Sequence, residues 1–482
     1  VPAARAPARA RLRRSLAFAT WCVAGALVLE KGLYAWADLA RDRSVTALAS
    51  VFPFYQRFTV EKFAGRVLGM ELARRERVVL AEEGILLRYP AERPRLPASG
   101  PRPNVLLVVV DSLRADMLGP ETMPRTTEYA RSARTFANHL SGGNATRYGI
   151  FSLLYGIHGA YWKSVLEEHA PPVLVTTLQQ LGYDLRVFSG PSQNYPEFRS
   201  TCWVTIEDAV ADKLVDVAPA ADKIAAKIAG DAEVARRFEQ WMGERKDARE
   251  KPPFFCFALI DAPHGSYAWP RAETHFTPVA ESVDWLQLAR APAAEEVAPV
   301  FNMYRNAVRY SDALTGRMLD ALRAAGELEN TIVVVTGDHG EEFFEHGFFG
   351  HTSNFAPEQV HVACVIGGPG FTPGVETRPT SHLDLAPTLL EQLGADPAQR
   401  GQWTQGLSLL DPPAARVRAI ASWDEMALWT DGGILRIPIE GHRGGIEAYD
   451  ARWQRLADED AFVRAHAADI ARLAQECRRF LR

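Results

Sequence analysis

Apolar positions along this chain gather into unbroken runs separated by stretches of helical spacing. NVLLVVVD (104–111) is a continuous β-branched and leucine run closed by an acid. Similar runs recur as FFCFALID (254–261), TIVVVTGDHG (331–340) and HVACVIGG (361–368). Runs without polar alternation are strands covered on both faces, as in parallel sheets beneath helices. Between them, Asn302–Ala325 and Leu383–Leu393 carry apolar residues at helical spacing. Strands alternating with helices predict an α/β layered fold with a mostly parallel central sheet.

The pattern differs at the ends. Ser15–Leu29 is apolar and uncharged but 15 residues long, short of the ~20 that a spanning helix needs. Extension to Trp36 takes in Glu30 and a Lys31 able to snorkel, with Tyr34 and Trp36 suited to the interface. Five arginines precede the run, which places residues 1–14 on the cytoplasmic side and exports the remainder. A signal peptide, a single anchor, the last span of a longer membrane region and a buried amphipathic helix all fit. No small-x-small cleavage site follows, so residues 1–37 are read as a basic N-terminus and membrane anchor. Residues 38–103 combine a helical stretch, Val60–Glu83, with Tyr89–Pro103, where five prolines in fifteen residues make a stiff linker. The main domain is expected over 104–410. Residues 411–482 complete it with strand-like Arg416–Trp423 and Gly433–Ile439 and an amphipathic helix, Asp460–Leu481.

Net charge is −5 and the pI about 6.2, which argues against a nucleic-acid partner. Five scattered cysteines without a CxxC pair argue against a disulfide framework, and Cys256 and Cys364, inside apolar runs, read as buried free thiols.

Three segments carry candidate chemistry. In TGDHGEEFFEHGFFGH (336–351), Asp338 and His339 stand together at a strand end, where both can reach one divalent cation (Zn²⁺ or Mn²⁺, less well Mg²⁺). A solvated turn with a capping Asp is the other reading. His346, His351 and His361 lie close by in sequence. In VVVDSLRADML (108–118), Asp111 ends the first buried strand, as a ligand or a helix cap, and Arg114 with Asp116 reads as a surface pair. In SGGNATRYGIFSLLYG (141–156), Asn144 can cap a helix whose first turn holds Thr146. The helix dipole there favours an anion or alkoxide, although a second capping hydroxyl reads equally from this segment.

This order of motifs resembles the sulfatase-type branch of the alkaline phosphatase superfamily. It is similar to lipoteichoic acid synthases, phosphoethanolamine transferases and the inner-membrane sulfatase-like proteins of Gram-negative bacteria tied to cardiolipin and lipopolysaccharide homeostasis. The stretches that carry it are LYAWAD (33–38), NVLLVVVDSLRADML (104–118), NATRYGIFSLLYG (144–156), DAPHGSY (261–267), TGDHGEEF (336–343), GHTSNF (350–355) and SHLDLAPTLL (381–390). The resemblance implies an alkaline-phosphatase-like fold and one divalent metal ion (Mn, Mg or Zn) on Asp111, Thr146, Asp338 and His339. It further implies Thr146 as nucleophile, with His264 and His351 holding phosphate or protonating the leaving group. Arg147 is a candidate clamp on an anionic oxygen. Sulfatases proper carry a Cys or Ser in a C/S-x-P-x-R motif that is oxidised to an aldehyde. The chain has none, and Ser112 stands where they pair a second Asp, which argues for a single metal.

The expected function is therefore metal-dependent hydrolysis or transfer of a phosphoester, such as a membrane lipid head group, with the catalytic domain in the periplasm and anchored in a bacterial inner membrane. The alternative is a non-catalytic regulator that binds lipid or an envelope protein.

Overall fold

Residues 18, 20–22, 25–36, 86–213, 223–284, 288, 290, 292–412, 416–439 and 445–482 are described by the computed structural model. The expected helix Val60–Glu83 lies outside them. Two compact units, Val1–Arg75 and Glu76–Arg482, divide the chain. In the first, the described residues are helical, and Trp21, Val28, Leu29 and Trp36 are exposed. Among the described residues, no helix is long and apolar enough to cross a membrane.

The second unit is organised by β1 (Asn104–Val110), all of whose residues are buried. Its side chains alternate between two cores. Val105, Leu107 and Val109 face one core; Leu106, Val108 and Val110 face the other. A strand needed by two cores has no polar face, which is why the run reads as unbroken. The flanking strands are β2 (Arg134–Phe136), β3 (Asp184–Ser189), β4 (Val210–Ala211), β5 (Phe254–Ile260), β6 (Thr331–Gly337), β7 (Cys364–Gly367) and β8 (Gly374–Glu376). They make one sheet in the order β8-β2-β7-β6-β1-β5-β3-β4. Pairing is parallel throughout except around β7, which runs antiparallel to β6 and β2.

Helices cover both faces. One core receives α2 (Thr146–Tyr155), α3 (Val173–Gln180) and α6 (Leu385–Gln392); the other receives α4 (Lys223–Asp247) and α5 (Ala294–Ala325). The short α1 (Pro124–Ala130) is held at its N-terminus by the Asp312 carboxylate of α5, which accepts from the Arg125 and Thr126 N–H groups, both at 2.8 Å. Helix α5 starts eight residues before the expected Asn302, as its polar first turn carries Glu295 and Glu296 rather than an apolar stripe. Acids there suit the helix dipole.

A second sheet, wholly antiparallel, follows: β9 (Arg418–Ala421), β10 (Glu425–Thr430), β11 (Gly433–Pro438) and β12 (Glu447–Tyr449). The expected last helix is two, α7 (Glu459–Ala465) and α8 (Ala467–Glu476). They break at His466, whose ring contacts the Asp469 carboxylate at 3.1 Å. Cys256 and Cys364 are buried and unbridged, as their apolar runs implied; Cys202 and Cys477 are also buried and free, and Cys22 is exposed and free.

Candidate active site

Asp111, at the C-terminal end of β1, and Asp338, just past β6, come from neighbouring parallel strands, so their carboxylates meet at the same edge of the sheet. His339 follows directly. One donor atom from each of Asp111, Asp338 and His339 lies within 4.8 Å of the others, and all three residues are buried. His339 Nε2 stands 3.5 Å from Asp111 Oδ1 and 3.6 Å from Asp338 Oδ2.

The surroundings fix how these groups point. Ser112 adopts a left-handed backbone, φ 61°, and its N–H donates to Asp338 Oδ1 at 3.0 Å. The His339 N–H donates to the same oxygen at 2.8 Å. Asp338 Oδ2 is left buried without a hydrogen-bond partner, facing His339 Nε2. His339 Nδ1 donates to the Gly340 carbonyl at 2.8 Å, which leaves the Nε2 lone pair for the centre. Burial holds the His339 pKa below its ordinary value, which favours the uncharged ring.

Burial pushes the Asp338 carboxyl well up, and the adjacent Asp111 charge adds to it. Burial raises Asp111 too, but His264, His339, His351 and Lys227 outweigh this and bring it below the usual carboxylate range. A buried orphan oxygen, two carboxylates and a neutral imidazole at coordination spacing fit a divalent cation.

Thr146 is the first residue of α2, and its Oγ1 sits 3.2 Å from His339 Nε2 and 3.5 Å from Asp111 Oδ2. Two features bring the helix this close. Gly149 packs on the Asp338 backbone, and an added Cβ would run into the Asp338 carbonyl oxygen. Ser141 Oγ donates to that same carbonyl. Gly149→Ala is expected to lift α2 off the strand end, costing ~1–3 kcal/mol of stability and weakening Mn²⁺ binding. Chemical denaturation and calorimetric titration would measure the two effects. Asn144 does not cap the helix, contrary to the sequence reading. Its side chain donates to the Asn354 carbonyl at 2.8 Å, and Ala145 takes the N-cap position.

His264 and His351 converge on the centre. The His351 ring lies 4.2 Å from His339 and 5.4 Å from His264, centroid to centroid. His351 Nδ1 donates to Glu341 Oε2 at 2.9 Å, and Glu341 in turn accepts from the Tyr267 hydroxyl at 3.0 Å. His264 faces Asp261, with Nδ1 to Oδ1 at 3.5 Å. The other nearby histidines serve elsewhere: His346 pairs with Glu358 and His361 bonds the Ala137 carbonyl.

Arg147 is engaged beside the site. Its guanidinium pairs with Glu197 at 2.6 Å and lies against the rings of Trp162, Tyr195 and Trp423. Arg114, expected on the surface, is buried and bonds Asp116, Glu345 and the Glu341 carbonyl, because the 341–345 segment folds over it.

Three contributors escaped the sequence reading. Asp261 was seen as a strand-end acid but given no role, though it mirrors Asp111. Glu341 sits inside the Asp-His motif. Lys227, on α4, had no sequence signal at all.

A mostly parallel sheet covered by helices on both faces, with acids at its central strand ends, is an alkaline-phosphatase-like fold, and solved structures with that fold superpose. A protein in the alkaline phosphatase superfamily from Vibrio parahaemolyticus matches at TM-score 0.59 and 16% identity, covering 84% of this chain and 94% of that one. The phosphonate monoester hydrolase of Agrobacterium radiobacter gives 0.59 and 18%, covering 78% and 96%. The chain belongs to the sulfatase family, whose model matches residues 103–395. It is 26% identical over 442 residues to inner membrane protein YejM of Salmonella typhimurium, covering 89% of this chain and 65% of the relative. An uncharacterized protein of Haemophilus influenzae is 24% identical over 386 residues, 79% and 56% of the two chains. The chain thus spans less than two thirds of these relatives' length.

Proposed function

We propose that this protein is a membrane-anchored, metal-dependent hydrolase or transferase that cleaves a phosphoester through Thr146. The observation that carries the reading is the Thr146 hydroxyl, set against both Asp111 and His339 at the mouth of a three-residue cation site. A divalent ion on Asp111, Asp338 and His339 would acidify that hydroxyl and draw charge from the phosphoryl oxygens. Thr146 Oγ1, at the positive end of α2, would attack phosphorus and carry the phosphoryl group as the bond to the leaving oxygen breaks. His351, oriented by Glu341, or His264, facing Asp261, would give a proton to the leaving oxygen. Arg147 would clamp an anionic oxygen once released from Glu197.

A lipid head group is the proposed substrate, in a bacterial inner membrane with the catalytic domain on the periplasmic side. Support comes from the arginine-flanked apolar run at Ser15–Leu29 and from the likeness to an inner membrane protein. The test is intact-mass analysis of the full chain in detergent with Mn²⁺ and bacterial phospholipids. An added mass on the Thr146 peptide, with lipid turnover, is the expected result. A folded, metal-loaded chain giving neither adduct nor turnover would overturn the reading in favour of a lipid- or protein-binding regulator.

A further inference from the structure

His264 stands on a turn that needs outside support. Just past β5, the His264 N–H donates to the Asp261 carbonyl at 3.0 Å, and the Tyr267 N–H to the His264 carbonyl at 3.3 Å. Ser266 and Tyr267 then both take left-handed backbone, φ 80° and 45°. Two consecutive non-glycine residues in that region strain the chain, and such strain persists only where the surroundings hold it.

The hold comes from one face of α4. Lys227 and Asp231 are four residues apart, so their side chains leave the helix on the same side. Lys227 Nζ donates to the carbonyls of Asp261 at 3.1 Å, His264 at 3.1 Å and Gly265 at 3.4 Å. Asp231, fully buried, accepts the Asp261 N–H on both carboxylate oxygens, at 3.0 and 3.1 Å. One side chain thus takes the turn's carbonyls and the other its N–H. The clamp is itself seated. The Tyr310 hydroxyl of α5 donates to the Ile228 carbonyl at 3.0 Å, and Gly190 leaves room for Asp231, since a Cβ there would meet Asp231 Oδ1 at 2.3 Å.

The clamp also reaches the imidazole. Lys227 Nζ stands 2.9 Å from Asp261 Oδ2, while Oδ1 of the same carboxylate faces His264 Nδ1 at 3.5 Å. A ring engaged at Nδ1 presents Nε2 for chemistry. Removing the ammonium would leave three carbonyls and a carboxylate crowded together without their donor.

We infer that Lys227 and Asp231 are positioning residues that set His264, rather than His351, as the proton donor to the leaving oxygen. The inference rests on the phosphoester reading above. In that step the Thr146 Oγ1–P bond forms, the Thr146 proton having gone to solvent. The bond from phosphorus to the leaving oxygen breaks, and the proton on His264 Nε2 passes to that oxygen.

Two phosphodiesters test it on the full chain loaded with Mn²⁺: methyl 4-nitrophenyl phosphate, whose leaving group departs readily as the anion, and methyl phenyl phosphate, whose leaving group needs a proton. His264→Ala is expected to lower kcat on the phenyl ester about 10²-fold more than on the nitrophenyl ester. Lys227→Met should show the same preference at about tenfold, and the double variant should be no worse than His264→Ala on the phenyl ester. Asp231→Asn, checked for fold by circular dichroism, should repeat the pattern and serves if Lys227→Met does not fold. Slowing of both esters alike, or losses that add in the double variant, overturns the inference. A folded, Mn²⁺-loaded wild type that cleaves neither ester counts against the phosphoester reading alone. Hydrogen–deuterium exchange then decides the clamp without turnover: residues 261–268 should exchange faster in Lys227→Met than in wild type, and unchanged exchange there overturns it.

Discussion

Thr146→Ala keeps its divalent ion and loses turnover. Asp111, Asp338 and His339 remain as donors when the hydroxyl is removed, so Mn²⁺ still binds and still raises the melting temperature. The hydroxyl proposed to attack is gone, and deleting a nucleophile costs on the order of 10³- to 10⁶-fold in kcat. Thr146→Ser, which keeps the oxygen at the head of α2, should retain a measurable fraction. The Ala site is small enough to leave the helix in place, because Thr146 is its first residue and its side chain lies at the mouth of the site. Steady-state phosphoesterase rates beside metal content decide the matter. Undiminished kcat in Thr146→Ala would remove threonine from the chemistry.

Asp338→Asn has effects of opposite sign in the empty and loaded protein. Burial and the nearby Asp111 charge hold the Asp338 carboxyl well above its ordinary range. An acid whose pKa rises on folding subtracts stability at any pH above its unfolded value of about 3.9. An amide has no charge to bury, so the empty Asp338→Asn chain should be as stable as wild type or more so at neutral pH. Excess Mn²⁺ reverses the order. Wild type gains about 4 kcal/mol at a concentration ~1,000 times Kd, and the variant, lacking the charged oxygen now without a partner, gains little. The raised pKa also means that ion uptake displaces a proton, so wild-type affinity falls as pH falls. Urea melts with and without Mn²⁺, and titration calorimetry in buffers of different ionisation enthalpy, measure both effects. An empty variant clearly less stable than wild type would show that Asp338 supports the fold by its hydrogen bonds from Ser112 and His339 rather than straining it.

The centre of the sheet was legible in sequence because its strands are local, continuous and buried on both sides. Asp111 and Asp338 could be found because each follows such a run directly. The resemblance to the sulfatase branch then supplied Thr146, which its own segment could not separate from a helix cap. What stayed hidden depends on contacts between distant segments. Lys227 comes from a helix with no motif and meets Asp261, 34 residues on. Asn144 looked like a helix cap, yet its partner is Asn354, 210 residues away. Arg114 looked solvent-facing until the 341–345 segment covered it. The antiparallel direction of β7 was equally unreadable, since a buried run has the same composition in either orientation.

The acids of this site hang from β6, β1 and β5, three adjacent strands in the middle of the eight-stranded sheet. Such strands exchange their amide hydrogens last and open only when the whole domain opens. The binding groups therefore have no private route to disassembly. On heating, ion release and loss of the sheet should coincide in a single transition, and the site should keep its geometry until the domain itself gives way.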